Sequence, residues 1–279
     1  MSRPMTARSV LITGCSSGIG RDAALTLAAH GWRVFAAVRK DADMEPLRDA
    51  GLESVHLDYE NPASIAAAVD SVLSATGGGL GALVNNGAYA IPGPLEDMPT
   101  DALRAIFEAN VIGWHDLTRR VIPTMRTQGH GRIVNVSSVL GIVAAPWRGA
   151  YNATKHAIEG YTDTLRIEMR DTPIYVITVA PGPIRTPFRQ NAIAQFERWV
   201  DWERSARVEQ YRATLLDRLY HPQKTRFELP PSAVTDALRL ALNAPEPRAR
   251  YDVTVPTRAM GLARRILPRG ALDALLSRG

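Results

Sequence analysis

The sequence predicts a doubly wound α/β fold, a parallel sheet with helices on both faces. Three observations point to it. Short apolar runs alternate with helical patterns from Ser9 to Val255. The first run empties into a glycine-rich turn that opens a helix. Six strand–helix alternations then follow with short connections, the arrangement that gives parallel strands and right-handed crossovers. A chain of 279 residues suits one large domain of this class or two small ones. Residues 1–279 are read as one.

Ser9 to Thr13 is the first buried strand. It ends in Thr13-Gly14-Cys15-Ser16-Ser17-Gly18-Ile19-Gly20, and a helical pattern with Ala24, Leu25, Leu27 and Ala28 follows. In that setting Gly14 permits a tight turn, Gly18 lets backbone approach a pyrophosphate, and Gly20 lets helix and strand pack closely. The helix start, with Ser16, Ser17 and Ile19 around it, presents free N–H groups to an anion. Arg33 to Val38 is the second strand. Val38 stands where a site for NAD usually places an acid on the ribose 2′-hydroxyl. Arg39 and Lys40 come next, and a guanidinium fork suits a 2′-phosphate. NADP(H) is therefore expected, with two solvent-facing loop charges as the alternative.

A short helix is expected from Glu45 to Ala50 and the third strand from Ser54 to Asp58. Asp58 at its end suits either an adenine amino group or a turn. Asn61-Pro62 reads as the cap and first residue of a helix that Gly77 to Gly79 closes. Ala82 to Asn85 is the fourth strand. Asn86, Gly87 and Ala88 at its exit are small or hydrogen-bonding enough to admit a cofactor. A long helix from about Asp101 to Arg126 carries Asn110 inside it, which calls for a kink or a functional amide. Gly131 to Ser138 makes the fifth strand and places Ser138 at its carboxyl end, where open α/β sheets bind ligands. A long helix runs from Tyr151 to about Arg170. Ile174 to Ala180 is the sixth strand, and Pro181-Gly182-Pro183-Ile184-Arg185-Thr186 is a stiff turn at the same edge.

From Pro187 to Leu229 the periodicity loosens and aromatic residues gather: Phe188, Phe196, Trp199, Trp202, Tyr211, Tyr220 and Phe227. This segment, 187–229, reads as a lid over an apolar pocket, partly helical from Ala194 to Leu219. Extra core or a subunit contact is the alternative. A helix from Pro231 to Leu242 and a last strand from Arg250 to Val255 complete the sheet. Residues 257–279 form an amphipathic extension with Leu262, Ile266 and Leu267 near one side, and Pro268 interrupts it.

Composition removes several function classes. One cysteine, Cys15, permits no internal disulfide and makes a cysteine metal site improbable; no metal is expected. No run approaches a membrane span, and Met1 to Arg8 lacks the apolar core of a signal peptide. A cytoplasmic protein is expected. The net charge is +5, and seven arginines lie between Pro245 and Gly279. That excess reads as a solvated arginine face, with anionic lipid as the weaker alternative. No zinc-finger spacing or aromatic–basic alternation points to nucleic acid.

The chemistry concentrates at Tyr151 and Lys155. Four residues apart on a helix, they share a face. A phenol is a poor proton donor or acceptor at neutral pH, and a fixed ammonium nearby should draw its pKa down. Ser138 could hold a carbonyl or alcohol oxygen beside the phenol. A Tyr-x-x-x-Lys pair alone is common by chance; here it stands among the motifs already described.

Taken together these motifs make the chain resemble the short-chain dehydrogenase/reductase family from about Ser9 to Val255. The matching positions are Thr13 to Gly20, Asp58, Asn85 to Gly87, Asn110, Ser138, Tyr151, Lys155 and Pro181 to Thr186. The basic residue after the second strand and the C-terminal helix look like the subgroup of steroid and retinol dehydrogenases. The resemblance implies a Rossmann-type fold. It implies that Tyr151 is the acid or base, that Lys155 tunes it and binds the nicotinamide ribose, and that Ser138 holds the substrate oxygen. It implies that Asn110 kinks its helix and supports a proton relay, that Asp58 binds adenine, and that Ile184 and Thr186 hold the carboxamide. The family usually reads Asn-Asn-Ala-Gly where this chain has Asn85-Asn86-Gly87-Ala88. The expectation is an NADP(H)-dependent oxidoreductase acting on an apolar alcohol, ketone or aldehyde, as a homodimer or homotetramer. A cofactor-sensing regulator or an epimerase on the same fold are the alternatives.

Overall fold

The computed structural model describes residues 8–221 and 227–277. Residues 1–7, residues 222–226 of the expected lid and residues 278–279 of the expected C-terminal extension lie outside them. The chain runs β1 (Ser9–Thr13), α1 (Gly18–Ala29), β2 (Arg33–Val38), α2 (Glu45–Arg48), β3 (Glu53–His56), α3 (Pro62–Thr76), β4 (Ala82–Asn85) and α4 (Thr100–Phe107). It continues through α5 (Gly113–Thr127), β5 (Gly131–Val136), α6 (Gly149–Glu168), β6 (Ile174–Ala180) and α7 (Phe188–Trp199). Last come α8 (Val208–Gln210), α9 (Leu216–Tyr220), α10 (Ser232–Asn243), β7 (Arg250–Asp252), α11 (Val255–Ile266) and α12 (Arg269–Leu276).

Seven parallel strands form one sheet in the order β3-β2-β1-β4-β5-β6-β7. The crossovers move outward in opposite directions from β1 and β4, so the topological switch lies between those strands and a crevice opens outside their carboxyl ends. Both faces of the sheet are covered, which explains the continuous apolar runs of its strands. Side chains alternate across the pleat. Val10 and Ile12 face α1 and α10 with Leu27 and Leu238. Leu11, Leu83 and Ile133 face α3, α5 and α6 with Ile65, Trp114 and Ile158. A third apolar cluster lies under the lid and joins Ile91, Ile106, Phe196, Tyr211 and Leu215.

Several local features follow from sequence chemistry. The Asn61 side chain accepts from the N–H groups of Ala63 and Ser64 and caps α3, while Gly77 ends it at φ 68°. The helix expected from Asp101 to Arg126 is divided by a π-turn at Glu108–Ile112 that holds Asn110. There Gly113 packs so tightly on Tyr59 that a Cβ would come within 2.6 Å of the tyrosine Cβ. Among the described residues of the lid the helices are α7, α8 and α9, with a π-turn at Tyr211–Leu215 between the last two. The helical core expected from Ala194 to Leu219 is thus broken after Trp199. The last strand is shorter than expected, ending at Asp252. The C-terminal extension is two helices, because Pro268 separates α11 from α12. Among the described residues no helix is long and apolar enough to cross a membrane, and no cluster of metal-binding side chains occurs.

Candidate active site

Two cavities flank the switch point and share Gly14, Ser16, Ser17, Gly87 and Ala88. The larger, about 580 Å³, is lined by Ser138, Tyr151, Lys155, Pro181, Gly182, Ile184 and Thr186 together with Gly18, Ile19 and Asn86. The smaller, about 570 Å³, is lined by Val38, Arg39, Lys40 and Asp58. They form one bent cleft across the carboxyl ends of the strands.

Backbone forms the floor of that cleft. Gly14 has φ 70°, and a Cβ there would come within 2.6 Å of the Gly87 Cα. A side chain is excluded by both conformation and space. Gly18, at φ 57°, lies against Thr186, so the glycine turn meets the turn after β6. The Thr13 hydroxyl accepts from the N–H groups of Asn86 (2.9 Å) and Gly87 (3.0 Å) and from the Tyr59 hydroxyl (2.8 Å). The Asn86 side chain donates to the Thr13 carbonyl at 2.9 Å. These bonds tie the exits of β1 and β4 together. The exchanged order Gly87-Ala88 fits this closure, because a Cβ at residue 87 would press on Gly14 at 3.2 Å and on Tyr59 at 3.3 Å.

Two of the expected site residues, Gly20 and Asn110, line neither cavity. A Cβ on Gly20 would run into the Gly14 carbonyl oxygen, so its role is packing. Asn110 is fully buried. Its side-chain amide clasps the backbone of Tyr89, donating to the carbonyl at 2.8 Å and accepting from the N–H at 3.1 Å. A second donation reaches the Thr154 hydroxyl at 3.3 Å. The amide is thereby engaged away from Lys155. Asp58 lies two residues beyond β3, and one of its carboxylate oxygens accepts from the Glu60 N–H at 3.0 Å. It is a turn acceptor and a wall of the smaller cavity at once.

Tyr151 and Lys155 project from the first turns of α6, and Ser138 lies beyond the end of β5. The Ser138 hydroxyl accepts from the Leu140 N–H at 3.1 Å and neighbours the Tyr151 phenol. Lys155 is buried at 2% exposure. Its Nζ donates to the Val136 carbonyl at 2.8 Å and lies 4.6 Å from the Trp114 ring centre and 5.6 Å from that of Tyr151. Burial brings the Lys155 pKa down to about 7, against a smaller upward pull from Glu159. Burial also raises the Tyr151 pKa, and Ser138 and Arg148 only partly offset it. This corrects the expectation that the ammonium draws the phenol pKa down. With both groups out of water, desolvation of the charged forms outweighs their proximity. At neutral pH the phenol keeps its proton.

The cleft has the dimensions and donors a nicotinamide dinucleotide needs. A side-chain-free turn lies at a helix start, a basic pair occupies one end, and a phenol, a hydroxyl and an ammonium occupy the other. Tyr59 and Arg148 contribute to this arrangement without any mark in residue spacing: Tyr59 donates to Thr13, 46 residues away, and Arg148 lines the larger cavity.

The sequence matches the family profile described as short chain dehydrogenase over residues 8–196. It is 38% identical to an uncharacterized oxidoreductase, YbbO, of Escherichia coli (strain K12), over 96% of this chain and 94% of that protein. It is 34% identical to retinol dehydrogenase 16 of Mus musculus, over 96% of this chain and 87% of that protein. Its fold is similar to that of a short-chain dehydrogenase from Streptomyces avermitilis, with a TM-score of 0.77, 26% identity, and coverage of 97% of this chain and 93% of that one.

Proposed function

This chain belongs to the short-chain dehydrogenase family of oxidoreductases, and from that premise we propose that it is an NADP(H)-dependent enzyme interconverting an apolar secondary alcohol and its ketone, or reducing an aldehyde. The observation that carries the reading is the presence of Ser138, Tyr151 and Lys155 on one cavity continuous with the glycine turn. Solved neighbours hold NADH or NADPH. The basic pair Arg39 and Lys40, with Val38 in place of an acid, supports the phosphorylated cofactor.

In this reading Gly14, Ser16, Ser17, Gly18 and Ile19 cradle the diphosphate, and Arg39 and Lys40 take the 2′-phosphate. Asp58 faces the adenine with its remaining acceptor capacity. Pro181, Gly182, Ile184 and Thr186 hold the carboxamide end. When bound, the nicotinamide supplies or takes up hydride. Ser138 donates a hydrogen bond to the substrate oxygen and keeps it beside the phenol. Tyr151 then gives its proton to that oxygen in reduction. Burial suits it to this direction, because the phenol is held protonated. Lys155, anchored on the Val136 carbonyl with its Nζ 5.6 Å from the Tyr151 ring centre, stabilises the phenolate left behind together with Arg148. The aromatic wall of the lid, with Phe188 5.4 Å from Tyr151 between ring centres, keeps water from the reacting oxygen. Exposed Ile112 and Ile167, beside α5 and on α6, support pairing of copies through those helices, as a homodimer or homotetramer.

Titration of the purified protein with NADPH and NADH, followed by nicotinamide fluorescence, tests the cofactor assignment. Tighter binding of NADPH is expected, with the preference lost in Arg39→Ala. Equal or tighter binding of NADH would contradict it. Steady NADPH oxidation across a panel of hydrophobic ketones and aldehydes is the expected activity.

A further inference from the structure

The substrate end of the cleft is not wholly apolar. Arg148 lines the larger cavity three residues before Tyr151, and Arg189 of α7 lines it from the lid. Neither guanidinium has a hydrogen-bond or ion-pair partner among the described residues. The positive charges of Arg218 of α9 and then of Arg189 act on Arg148. Glu228 is the only acid among the described lining residues, and it is not among the charges acting on Arg148.

The backbone is arranged to present this group. Trp147 has φ 64°, a conformation costly for a bulky residue. Its ring centre lies 5.1 Å from that of Tyr211 in the lid, and its carbonyl accepts from the Gly93 N–H at 3.0 Å. A strained turn pinned on both sides thus delivers Arg148 into the pocket. Burial, then the neighbouring cations, lowers the pKa of Arg148, which is the cost of holding it without a counter-charge.

Resting on the carbonyl reading above, we infer that the natural substrate carries an oxyanion, a carboxylate or a phosphate, in addition to its reacting carbon, and that Arg148 and Arg189 bind it. An apolar chain joining the two would lie along Phe188, Ala192 and Leu219. A guanidinium fork matches both oxyanions, and such charge-assisted bonds are strong when partly desolvated. Arg148 and Arg189 would then set specificity, and neither needs to touch the reacting atoms.

The test compares binding of decanoate, decyl phosphate and methyl decanoate to the full chain, with and without NADPH, by calorimetry. Wild type should bind one of the two anions roughly tenfold or more tighter than the ester, the range that hydrogen bonds to charged groups give. Decanoate against decyl phosphate decides which oxyanion is preferred. The preference should vanish in the Arg148→Ala, Arg189→Ala double variant and survive in part in Arg148→Lys. Equal binding of anions and ester by wild type would overturn the inference, and no variant is needed to see it. So would a preference that persists in the double variant while NADPH affinity falls, which would assign both arginines to the cofactor diphosphate. Turnover of decanal reports the carbonyl reading separately. Decanal reduction without anion preference removes this inference alone, and anion preference without turnover of either decanal or 10-oxodecanoate removes the reading alone.

Discussion

Around Gly14 the wall of the cleft is backbone; around Phe188 and Arg189 it is side chain. The first region is the less tolerant of substitution, since a Cβ would collide at Gly14, would meet Thr186 at 3.0 Å from a positive φ at Gly18, and would fit only tightly at Gly87. The second is an aromatic cluster in which Tyr151, Phe188, Trp147, Tyr211 and Trp202 meet at 5.1–6.2 Å between ring centres. One part is shaped to a ligand whose form does not vary, and the other can change its side chains without disturbing the sheet. In the proposed reading, cofactor recognition and substrate choice are separated along a single cleft.

Substitutions can break that separation or sharpen it. The largest effect is expected from Gly14→Ala, which combines a positive φ with a collision against Gly87. A penalty of about 3 kcal/mol would weaken NADPH binding roughly a hundredfold, read by fluorescence titration. Near-normal affinity would mean that the turn yields easily.

Lys155→Met comes next, with a turnover loss of the order of 10²-fold and a distinctive pH signature. The folded chain holds the lysine pKa at about 7, below its unfolded value near 10.4. Between those values the unfolded state binds more protons, so unfolding free energy rises with pH. Below about 7 both states are protonated and the slope ends. Burial of the Cys15 thiol raises its pKa and acts in the opposite direction above about pH 8.5. The comparison therefore belongs between pH 7 and 8.5. There the wild-type protein should gain stability in urea melts, and the variant should lose that gain. Identical slopes would show that Lys155 titrates as it does in the unfolded chain.

Arg39→Ala should lower the NADPH-over-NADH preference roughly tenfold, the scale of one charge-assisted contact. The smallest effect belongs to the lid. Tyr211 donates to Asp97 at 2.9 Å, beside a donation from Ser205 at 2.6 Å. Tyr211→Phe removes one of these bonds and should cost about 1 kcal/mol, or about 2–4 °C in Tm. NADPH affinity should not change. If it falls, the two regions are coupled.

The same division decides how much was legible in the sequence. The boundaries of β1, β2 and β6 are visible as apolar runs between glycine, proline and charged residues, and the structure reproduces them. The glycine turn is legible because each glycine answers a local need. The lid is not, because its helices are set by contacts with Glu96, Asp97 and Trp147 far away in sequence, which leave no period. Gly20 and Asn110 belong to the same motifs as the residues that line the cleft, and a motif does not separate residues that face the cleft from residues that pack beneath it. The pull of Lys155 on Tyr151 was misjudged for a related reason: spacing reports proximity, while burial decides the pKa.

The central claim is that Tyr151 is the proton donor in a carbonyl reduction. Steady-state NADPH oxidation with the best hydrophobic carbonyl should be measured in wild type and in Tyr151→Phe, with NADPH affinity determined for both. The account predicts unchanged affinity and a kcat lower by roughly 10² or more, since a positioned general acid contributes about 10²–10⁴. Unchanged affinity with near-wild-type kcat would contradict it.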